Sequence, residues 1–443
     1  MTRTAKKAVE ILFKEGDTVN AELISVGTEI LLGQIINTNA AWLAEKLAEY
    51  GINVFRQITI GDNLSRLTDG VRESLQRAEV VILTGGLGPT DDDLTREGVA
   101  AALGLDLVED IEQRKWLETR FSGGARSMPV NNLKQALKPL GAELLPNPNG
   151  TACGYAIHHD GRWVFMLPGP PWEMEAMFNS SVVPILKDHF SLDTKLFHRT
   201  LRFIGIGESA LEMELLDMMR SQSDPSMALY AKMGEIELRL TTRASDQEEA
   251  DKRLDPQEQL IRERVGRFIY GYNQDTLFSV LARELVERGL TLSVAESCTS
   301  GLLGSSFTDI PGSSSFFQGG FLTYSNEMKQ QMVDVPEELL IKYGAVSARV
   351  AVAMAEGARK KTGTDLALSV TGIAGPGGAT ETKPVGLTYI ALATSESTYI
   401  LRSTYSSDRV RNKSRAAKQA AYLLWLTLMG YDIPEVSRAS LEP

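Results

Sequence analysis

The sequence has few of the residues that build disulfide, metal and membrane sites. Its two cysteines, Cys153 and Cys298, exclude a disulfide framework or a cysteine-rich zinc site and fit a reducing compartment. The longest apolar run, 420–430, is far shorter than the ~18 residues that a membrane-spanning helix needs. Charged residues interrupt the basic first 15 residues, where a signal peptide would be apolar. We therefore expect a cytoplasmic protein with no membrane association.

Positive charge and histidine are also scarce. The chain of 443 residues carries 46 Lys and Arg against 57 Asp and Glu, a formal net charge of −11. Because this balance provides no broad basic surface, we expect no nucleic-acid partner. His198 is the last of four histidines, so a hydrolytic reaction in residues 199–443 must use a base other than imidazole.

Strand-like and helical patterns divide the chain into three folded parts. Residues 21–171 alternate strand and helix, which predicts a parallel sheet with ligands at the carboxyl ends of its strands. Residues 172–272 predict a small α+β module, in which Asp255-Pro256 breaks or restarts a charged helix. Residues 273–434 predict another α/β unit, and residues 1–20 form a polar extension. The expected fold class is α/β, with two three-layer α/β domains joined by a small α+β middle module that serves as a spacer or interface.

A glycine- and aspartate-rich turn follows a short apolar strand, 80–83. It reads Thr84-Gly-Gly-Leu-Gly-Pro-Thr90 and continues into Asp91-Asp-Asp93, where a helix begins. Small residues let backbone amides approach a phosphate, although a turn with an aspartate helix cap explains the same pattern. Three adjacent carboxylates would repel a phosphate unless a divalent cation bridged them. The turn therefore indicates a metal-assisted reaction on a phosphorylated ligand.

A serine ends a strand in the third part of the chain. Ser297 follows the strand Leu292-Ser-Val-Ala-Glu296, and a helix opens directly after Thr299. This order places a hydroxyl nucleophile against helix-terminal amides that could act as oxyanion donors. The simpler alternative is that Ser297 or Thr299 only caps the helix. Cys298 is the stronger nucleophile if exposed, but a cysteine in this position is more often a small buried residue.

A lysine and a cationic helix complete this group of residues. Lys329 can serve as the base for serine only if burial or nearby cations lower its pKa, and taken alone it reads as a solvated helix residue. Tyr324 is a candidate proton relay or oxyanion donor.

A glycine-rich loop follows at 370–378. Cations at 409–415 crowd the start of the last helix, where its dipole disfavours them, so they form either a solvated face or an anion site.

The first α/β part closely resembles the N-terminal half of the CinA family of competence/damage-inducible proteins. The resemblance rests on Ser25–Gln34, Asn37–Ala40, Thr84–Thr90 with Asp92–Thr95, Gly150-Thr151 and Leu167–Pro170. It implies a fold like molybdopterin-binding domains and an ADP-ribose pyrophosphatase that depends on a divalent metal (Mg, Mn or Co) and on K+. By the same resemblance, Asp93, Asp92 and Glu29 lie at the metal, and Gly85, Gly86 and Gly88 lie against the substrate.

The third part resembles the C-terminal domain of the same family over most of residues 275–430. The matching segments are Ala295–Thr299, Pro311–Ser314, Tyr324–Glu327 with Lys329, Val370–Pro376 and Lys383–Gly386. In the family that domain is a nicotinamide-nucleotide amidase, so the resemblance implies an enzyme that needs no cofactor and converts nicotinamide mononucleotide into nicotinate mononucleotide and ammonia. The resemblance gives roles to seven residues: Ser297 as nucleophile, Lys329 as base, Tyr324 and Thr371 as assistants, and Arg411, Arg415 and Gly372 as substrate contacts. Two positions depart from the pattern: Ser300 stands where glycine is usual, and Ala379 interrupts a glycine run.

These observations lead to one functional hypothesis with two alternatives. The first is a two-activity enzyme of pyridine-nucleotide recycling, a homodimer whose partners are the small molecules nicotinamide mononucleotide and ADP-ribose. The second is a non-catalytic regulatory protein that binds molybdopterin or a nucleotide. The third is an oligomerisation scaffold in which both glycine loops are only turns.

Overall fold

A computed structural model describes residues 19–433 except 123–128, 191, 193 and 222–223, so nearly all of the predicted extension 1–20 lies outside the described residues. The strands are β1 (Asn20–Val26), β2 (Asn53–Ile60), β3 (Val80–Thr84), β4 (Leu107–Glu109), β5 (Leu137–Pro139), β6 (Glu143–Leu145), β7 (Gly154–His159), β8 (Arg162–Leu167), β9 (Lys195–Phe203), β10 (Ser226–Lys232), β11 (Glu235–Ala244), β12 (Ile269–Tyr272), β13 (Leu292–Glu296), β14 (Phe317–Leu322), β15 (Leu366–Gly372), β16 (Leu387–Ala393) and β17 (Thr398–Thr404). The helices are α1 (Thr28–Leu31), α2 (Thr38–Glu49), α3 (Leu64–Leu75), α4 (Thr95–Leu103), α5 (Ile111–Ser122), α6 (Pro171–Met177), α7 (Val183–His189), α8 (Glu208–Glu214), α9 (Leu216–Ser221), α10 (Gln247–Val265), α11 (Leu277–Arg288), α12 (Leu302–Thr308), α13 (Asn326–Val333), α14 (Glu337–Tyr343), α15 (Ala348–Thr362) and α16 (Arg409–Met429).

The described residues form two compact units. The first contains the residues up to His198 together with 224–226 and 241–255, and the second contains the remainder of the middle module and everything from 256 onward. No helix in the described part of the chain is long and apolar enough to cross a membrane.

The first unit is built on a mixed six-stranded sheet. Its strand order is β2-β1-β3-β8-β7-β6. Neighbours from β2 to β8 run parallel, as the alternating pattern predicted, whereas β7 and β6 are antiparallel to their neighbours. The fully parallel prediction is wrong at this edge because the two-residue turn Asp160-Gly161, with both φ angles positive, joins β7 directly to β8 as a hairpin.

Helices cover both faces of this sheet. Successive residues of β1 point to opposite sides: Leu23 packs in one core cluster and Ile24 in the other. Helices α2, α6 and α7 belong to the first cluster, whereas α3 and α4 belong to the second. Met174 and Leu186 are buried in that first cluster, so helices α6 and α7 pack on this sheet.

The middle module has a four-stranded sheet in the order β10-β11-β9-β12. Two sequence predictions are corrected here. The single helix expected over 208–219 is divided at Leu215 into α8 and α9. Helix α10 runs unbroken through Pro256, because burial of Leu254 and Ile261 on either side offsets the lost backbone hydrogen bond.

The last domain repeats the three-layer arrangement around a five-stranded sheet, β14-β13-β15-β16-β17. Strand β13 runs parallel to β14 and β15, and β15, β16 and β17 are antiparallel in turn, which confirms the predicted hairpin. Helices α11, α12 and α16 cover one face, and α13, α14 and α15 cover the other. A strand was expected over 321–324, but β14 begins at Phe317, since Gly319 and Gly320 obscure its apolar pattern. The predicted class, two α/β domains with a middle module, is confirmed.

Candidate active sites

Three strand ends meet at one edge of the last sheet. In the register of the parallel strands, Glu296 of β13 lies beside Leu322 of β14 and Val370 of β15. The residues that follow these positions therefore come together, as parallel topology requires. They include Ser297, Tyr324 and Thr371.

Ser297 and Lys329 form a buried pair at this edge. The Lys329 Nζ lies 3.1 Å from the Ser297 Oγ and also donates to the carbonyls of Thr323, at 2.8 Å, and Tyr324, at 3.4 Å. Lys329 is on the first half of α13 with its side chain only 1% exposed, so it is not the solvated residue that it resembles in isolation. The hydroxyl and the amine are at a distance suited to proton transfer.

Burial changes the charge state of Lys329. Desolvation lowers its pKa from the ordinary 10.5 to about 8, because the charged form loses its water. The cation has no carboxylate partner within salt-bridge distance in the described residues; backbone carbonyls and the Ser297 hydroxyl take its hydrogen bonds. At pH 7 about a tenth of such a lysine is neutral, compared with about 0.03% at an unshifted pKa. A base is thus available without histidine.

The predicted oxyanion donors are occupied by an internal carboxylate. The buried Glu296 accepts from the amides of Gly301, at 2.9 Å, Leu303, at 3.1 Å, and Gly304, at 2.7 Å. Glu296 therefore caps α12 from the preceding strand, and the prediction that these helix-terminal amides face Ser297 is wrong. The Glu296 carboxylate binds these amides because it lies at the positive end of the helix and accepts from all three of them.

The turn after Ser297 holds a residue other than glycine, Ser300, in a strained backbone conformation. Ser300 has a φ of +53° and Gly301 a φ of +91°, both in the left-handed region. Glycine adopts this conformation freely, whereas another residue costs about 1 kcal/mol. Position 300, where serine replaces the usual glycine, therefore favours glycine. Ser300 nevertheless adopts the left-handed conformation.

Cys298 is buried, in agreement with the structural interpretation of this cysteine. Desolvation raises the pKa of its thiol to about 11, and the charges of Lys329 and Lys413 oppose that increase. A thiol in this state is a poor nucleophile at neutral pH. Ser297 remains the candidate nucleophile of this turn.

The other predicted site residues near Ser297 make their contacts with neighbouring parts of the domain. The Thr371 hydroxyl donates to the Ala345 carbonyl at 2.8 Å. Tyr324 is 61% exposed, and its hydroxyl accepts from the Arg409 Nη2 at 3.2 Å. A Cβ on Gly372 would lie 2.7 Å from the Thr388 Oγ1, so this glycine permits close packing of β15 against β16. None of these contacts reaches Ser297.

The start of α16 presents its cations in two directions. Arg409 is exposed, but its guanidinium donates to the Gly375 carbonyl at 2.7 Å as well as to Tyr324. The Arg411 side chain is 64% exposed and pairs with Asp408 at 3.4 Å. Arg409 is therefore the arginine that the structure brings to Tyr324, and the sequence analysis did not single it out from its neighbours.

The first unit has a cavity of about 650 Å³ around the glycine and aspartate turn. It is lined by Gly85, Gly86 and Gly88, by the predicted metal residues Glu29, Asp92 and Asp93, and by the further carboxylates of Asp62 and Glu173. The structure thus places all six predicted residues of this site around one cavity. Its described lining includes five carboxylates and no basic side chain.

Asp93 is held by its own turn. The Asp93 Oδ2 accepts from the Thr90 amide at 2.9 Å and from the Thr90 hydroxyl. Lys134 donates to the Thr90 carbonyl at 2.9 Å. The Asp93 carboxylate is therefore fixed in place. Asp92 is exposed, and hydrogen bonding from Thr90 and from the backbone lowers its pKa.

The cavity fits a divalent ion that shares its ligands with a substrate. Within the described residues, no three His, Cys, Asp or Glu side chains lie close enough together to hold a metal alone. Mg²⁺ is usually held by one or two carboxylates together with water and substrate phosphates. Asp92 and Asp93 suit that role, and Glu29 lines the same cavity.

Three family models match successive parts of the chain. Residues 22–188 match the family model of a probable molybdopterin binding domain, 198–271 that of the damage-inducible protein CinA KH domain, and 274–428 that of the CinA C-terminal domain. The fold and sites thus define a molybdopterin-binding-like domain followed by a KH module and a CinA C-terminal domain. The chain belongs to the CinA family of competence-damage inducible proteins.

Relatives cover nearly the whole chain. A competence-damage inducible protein of Caldicellulosiruptor bescii is 48% identical over 411 residues, which cover 93% of this chain and 100% of the relative. One from Moorella thermoacetica is 47% identical over 410 residues, or 93% of this chain and 99% of the relative. The crystal structure of CinA from Thermoplasma acidophilum is 36% identical and covers 40% of this chain and 100% of its own, with a TM-score of 0.36.

The KH module is the domain that the sequence analysis did not recognise. Its order, strand, two helices, two strands, helix and strand, is visible in the sequence as a pattern, but it carries no catalytic motif that would draw attention. KH domains clamp nucleic acid with a Gly-x-x-Gly loop. Residues 198–271 contain no such sequence, and only Leu215 separates α8 from α9.

Proposed function

We propose that the last domain is a nicotinamide-nucleotide amidase in which Ser297 and Lys329 carry the reaction. The observation that carries the proposal is the 3.1 Å contact between the Ser297 Oγ and a buried lysine whose pKa is lowered to about 8. A serine nucleophile needs an adjacent base, and a desolvated lysine supplies one. The substrate is nicotinamide mononucleotide, and the products are nicotinate mononucleotide and ammonia.

The reaction runs in two halves. The Ser297 hydroxyl attacks the carboxamide carbon and passes its proton to the neutral Lys329, and the lysine returns that proton to the leaving ammonia. A water molecule then attacks the acyl-serine, again with Lys329 as base, which releases the carboxylate and restores Ser297. Because Glu296 occupies the helix-terminal amides, the oxyanion must find donors elsewhere around the three strand ends.

We place the ligand's phosphate at Arg409 rather than at Arg411, while the half-buried Arg415 stays a predicted substrate contact. Replacement of Arg409 by Met should raise the KM for nicotinamide mononucleotide about tenfold or more, because it removes the charged hydrogen bond that we propose between the guanidinium and the phosphate. In the free protein this guanidinium contacts Tyr324. The matched change Arg411→Met should leave KM within about twofold, since that side chain faces solvent. Steady-state kinetics of the two variants measures both effects, and the reverse order would return the phosphate to Arg411.

For the first domain we propose cleavage of the pyrophosphate of ADP-ribose. The cavity around Gly85–Gly88 supports the proposal because five carboxylates without a lining cation can accept a phosphorylated ligand only with a counter-cation. A bound divalent ion, Mg²⁺, Mn²⁺ or Co²⁺, with K+ in addition, would neutralise phosphate charge there. The chain's own contribution is to hold Asp93 by Thr90, to place Asp92 at the same cavity and to present the amides of the glycine turn.

A non-catalytic nucleotide-binding role is the competing hypothesis, and one experiment separates it from both proposals. The purified chain is titrated with nicotinamide mononucleotide, and with ADP-ribose and a divalent metal, in a calorimeter, and the same mixtures are analysed for products. Ammonia with nicotinate mononucleotide, and AMP from ADP-ribose, are the expected results. Binding heat without product would identify a regulatory binder.

The partners we propose are these small nucleotides and a second copy of the chain, without nucleic acid. The absence of a Gly-x-x-Gly sequence in the KH module and the net charge of −11 support the last point.

A further inference from the structure

Two adjacent residues of α4 bind four consecutive carbonyls of the glycine turn. The Thr95 Oγ1 donates to the Gly85 carbonyl at 2.7 Å, and the Thr95 amide donates to the Gly86 carbonyl at 3.1 Å. Arg96 continues the series: its Nη1 donates to the Leu87 carbonyl and its Nη2 to the Gly88 carbonyl, both at 3.0 Å. Four successive peptide groups of the turn are therefore oriented by one end of a helix.

This orientation fixes the amides as well. In a trans peptide the N–H points away from the preceding carbonyl, so the amides of Gly86, Leu87 and Gly88 point away from Thr95 and Arg96. All three residues line the cavity, and no group in the described structure accepts a hydrogen bond from these amides. Successive backbone amides on one side of a turn form a concave site for an anion.

Arg96 is an unusual residue to find at this position. Its side chain is 0% exposed, no carboxylate lies within salt-bridge distance of it in the described structure, and its buried Nε has no partner there. A buried guanidinium without an acid partner is costly, and an apolar side chain would pack at lower cost. Its charge is instead held against the carbonyls of Leu87 and Gly88, two residues that line the cavity.

We propose that Arg96, together with Thr95, is the positioning residue that makes the glycine turn an anion site. Arg96 turns the carbonyls of Leu87 and Gly88 inward and places a fixed positive charge behind the amides that receive a phosphate or pyrophosphate group. The inference rests on the proposed pyrophosphatase for its substrate, but it concerns the binding of the anion and not the cleavage.

The test is calorimetric titration of the full chain with inorganic pyrophosphate and Mg²⁺, with the thermal midpoint of each variant measured in parallel. Arg96→Met should weaken binding about tenfold or more, and Arg96→Lys should recover part of the loss because it keeps the charge but lacks the rigid planar pair of donors that orients both carbonyls. Arg72 provides a matched control, since it donates to the carbonyls of Ala101 and Ala102 at the other end of α4. Arg72→Met should leave the affinity within about twofold.

A second pair of variants protects the test against misfolding of Arg96→Met. Thr95→Val removes the hydroxyl that binds the Gly85 carbonyl, and Thr95→Ser keeps it, so only the first should weaken pyrophosphate binding, by about threefold or more. Unchanged affinity in Arg96→Met, or equal affinities in the two Thr95 variants, would overturn the inference, as would a wild type that binds no pyrophosphate. A wild type that binds pyrophosphate but forms no AMP from ADP-ribose would refute the pyrophosphatase and leave the inference standing.

Discussion

Replacement of Lys329 by Met should lower the turnover number for ammonia release from nicotinamide mononucleotide by about a thousandfold or more. The change removes the base next to the Ser297 Oγ while keeping a side chain of similar length in a buried position. KM should change by less than about threefold, because the amine acts on the serine proton and not on the ground-state ligand. Steady-state kinetics with an ammonia-coupled assay measures both constants.

A lysine elsewhere in the same domain provides the control. Lys361 on α15 pairs with Asp334 at 2.8 Å, is half-exposed and lies outside the Ser297 contacts. Lys361→Met should retain the wild-type turnover number. Equal turnover in the Lys329 variant and the wild type would remove the base assignment, whereas a rise in KM alone would make Lys329 a binding residue.

The same Lys329→Met substitution should make the protein more stable at neutral pH. The folded-state pKa of Lys329 is lowered to about 8, so below pH 8 the fold bears the cost of a buried charge, and above that pH the lysine loses its proton. We expect a gain of about 1 to 3 kcal/mol in the free energy of unfolding at pH 7, after allowance for lost hydrogen bonds. The gain should shrink as the pH rises from about 8 toward 10.5, where the unfolded lysine also becomes neutral. Urea denaturation at several pH values measures it.

The second large effect is expected in the first domain. Asp93→Asn should lower AMP formation from ADP-ribose by about a hundredfold or more, because it removes a carboxylate charge from the cavity while keeping an oxygen that can accept from Thr90. Asp91 is the matched control: it belongs to the same turn, is exposed and does not line the cavity. Asp91→Asn should keep wild-type activity over the same metal titration. Equal losses of activity in both variants would show that the total negative charge of the turn is what matters and would contradict a specific role for Asp93.

The elements that support the sites could be predicted from short local patterns. Strand β13 is five buried residues bounded by polar ones, and the turn after it reads as a helix start in the sequence. Glycines at 85, 86 and 88 mark a close backbone approach, and the structure puts them around a cavity with Asp92 and Asp93. Strand ends that carry hydroxyls and carboxylates therefore predicted which residues the structure brings together at each candidate site.

The partners of buried polar groups could not be predicted. Glu296 reads as the last residue of a strand, and nothing local indicates that its carboxylate caps the following helix. Arg96 reads as an exposed residue in the first turn of α4, although it is fully buried against the glycine turn. Burial of Lys329 also depends on α13 packing over the strand ends. Such contacts arise from tertiary packing, which local periodicity does not encode.

We propose that Ser297 is the nucleophile of an amidase. The most direct measurement is the rate of ammonia release from nicotinamide mononucleotide by the full chain and by Ser297→Ala, with nicotinate mononucleotide quantified in the same samples. We predict equimolar products from the wild type and a rate at least about a thousandfold lower from the variant. Equal rates in the two proteins, or no product from a folded wild type, would contradict it.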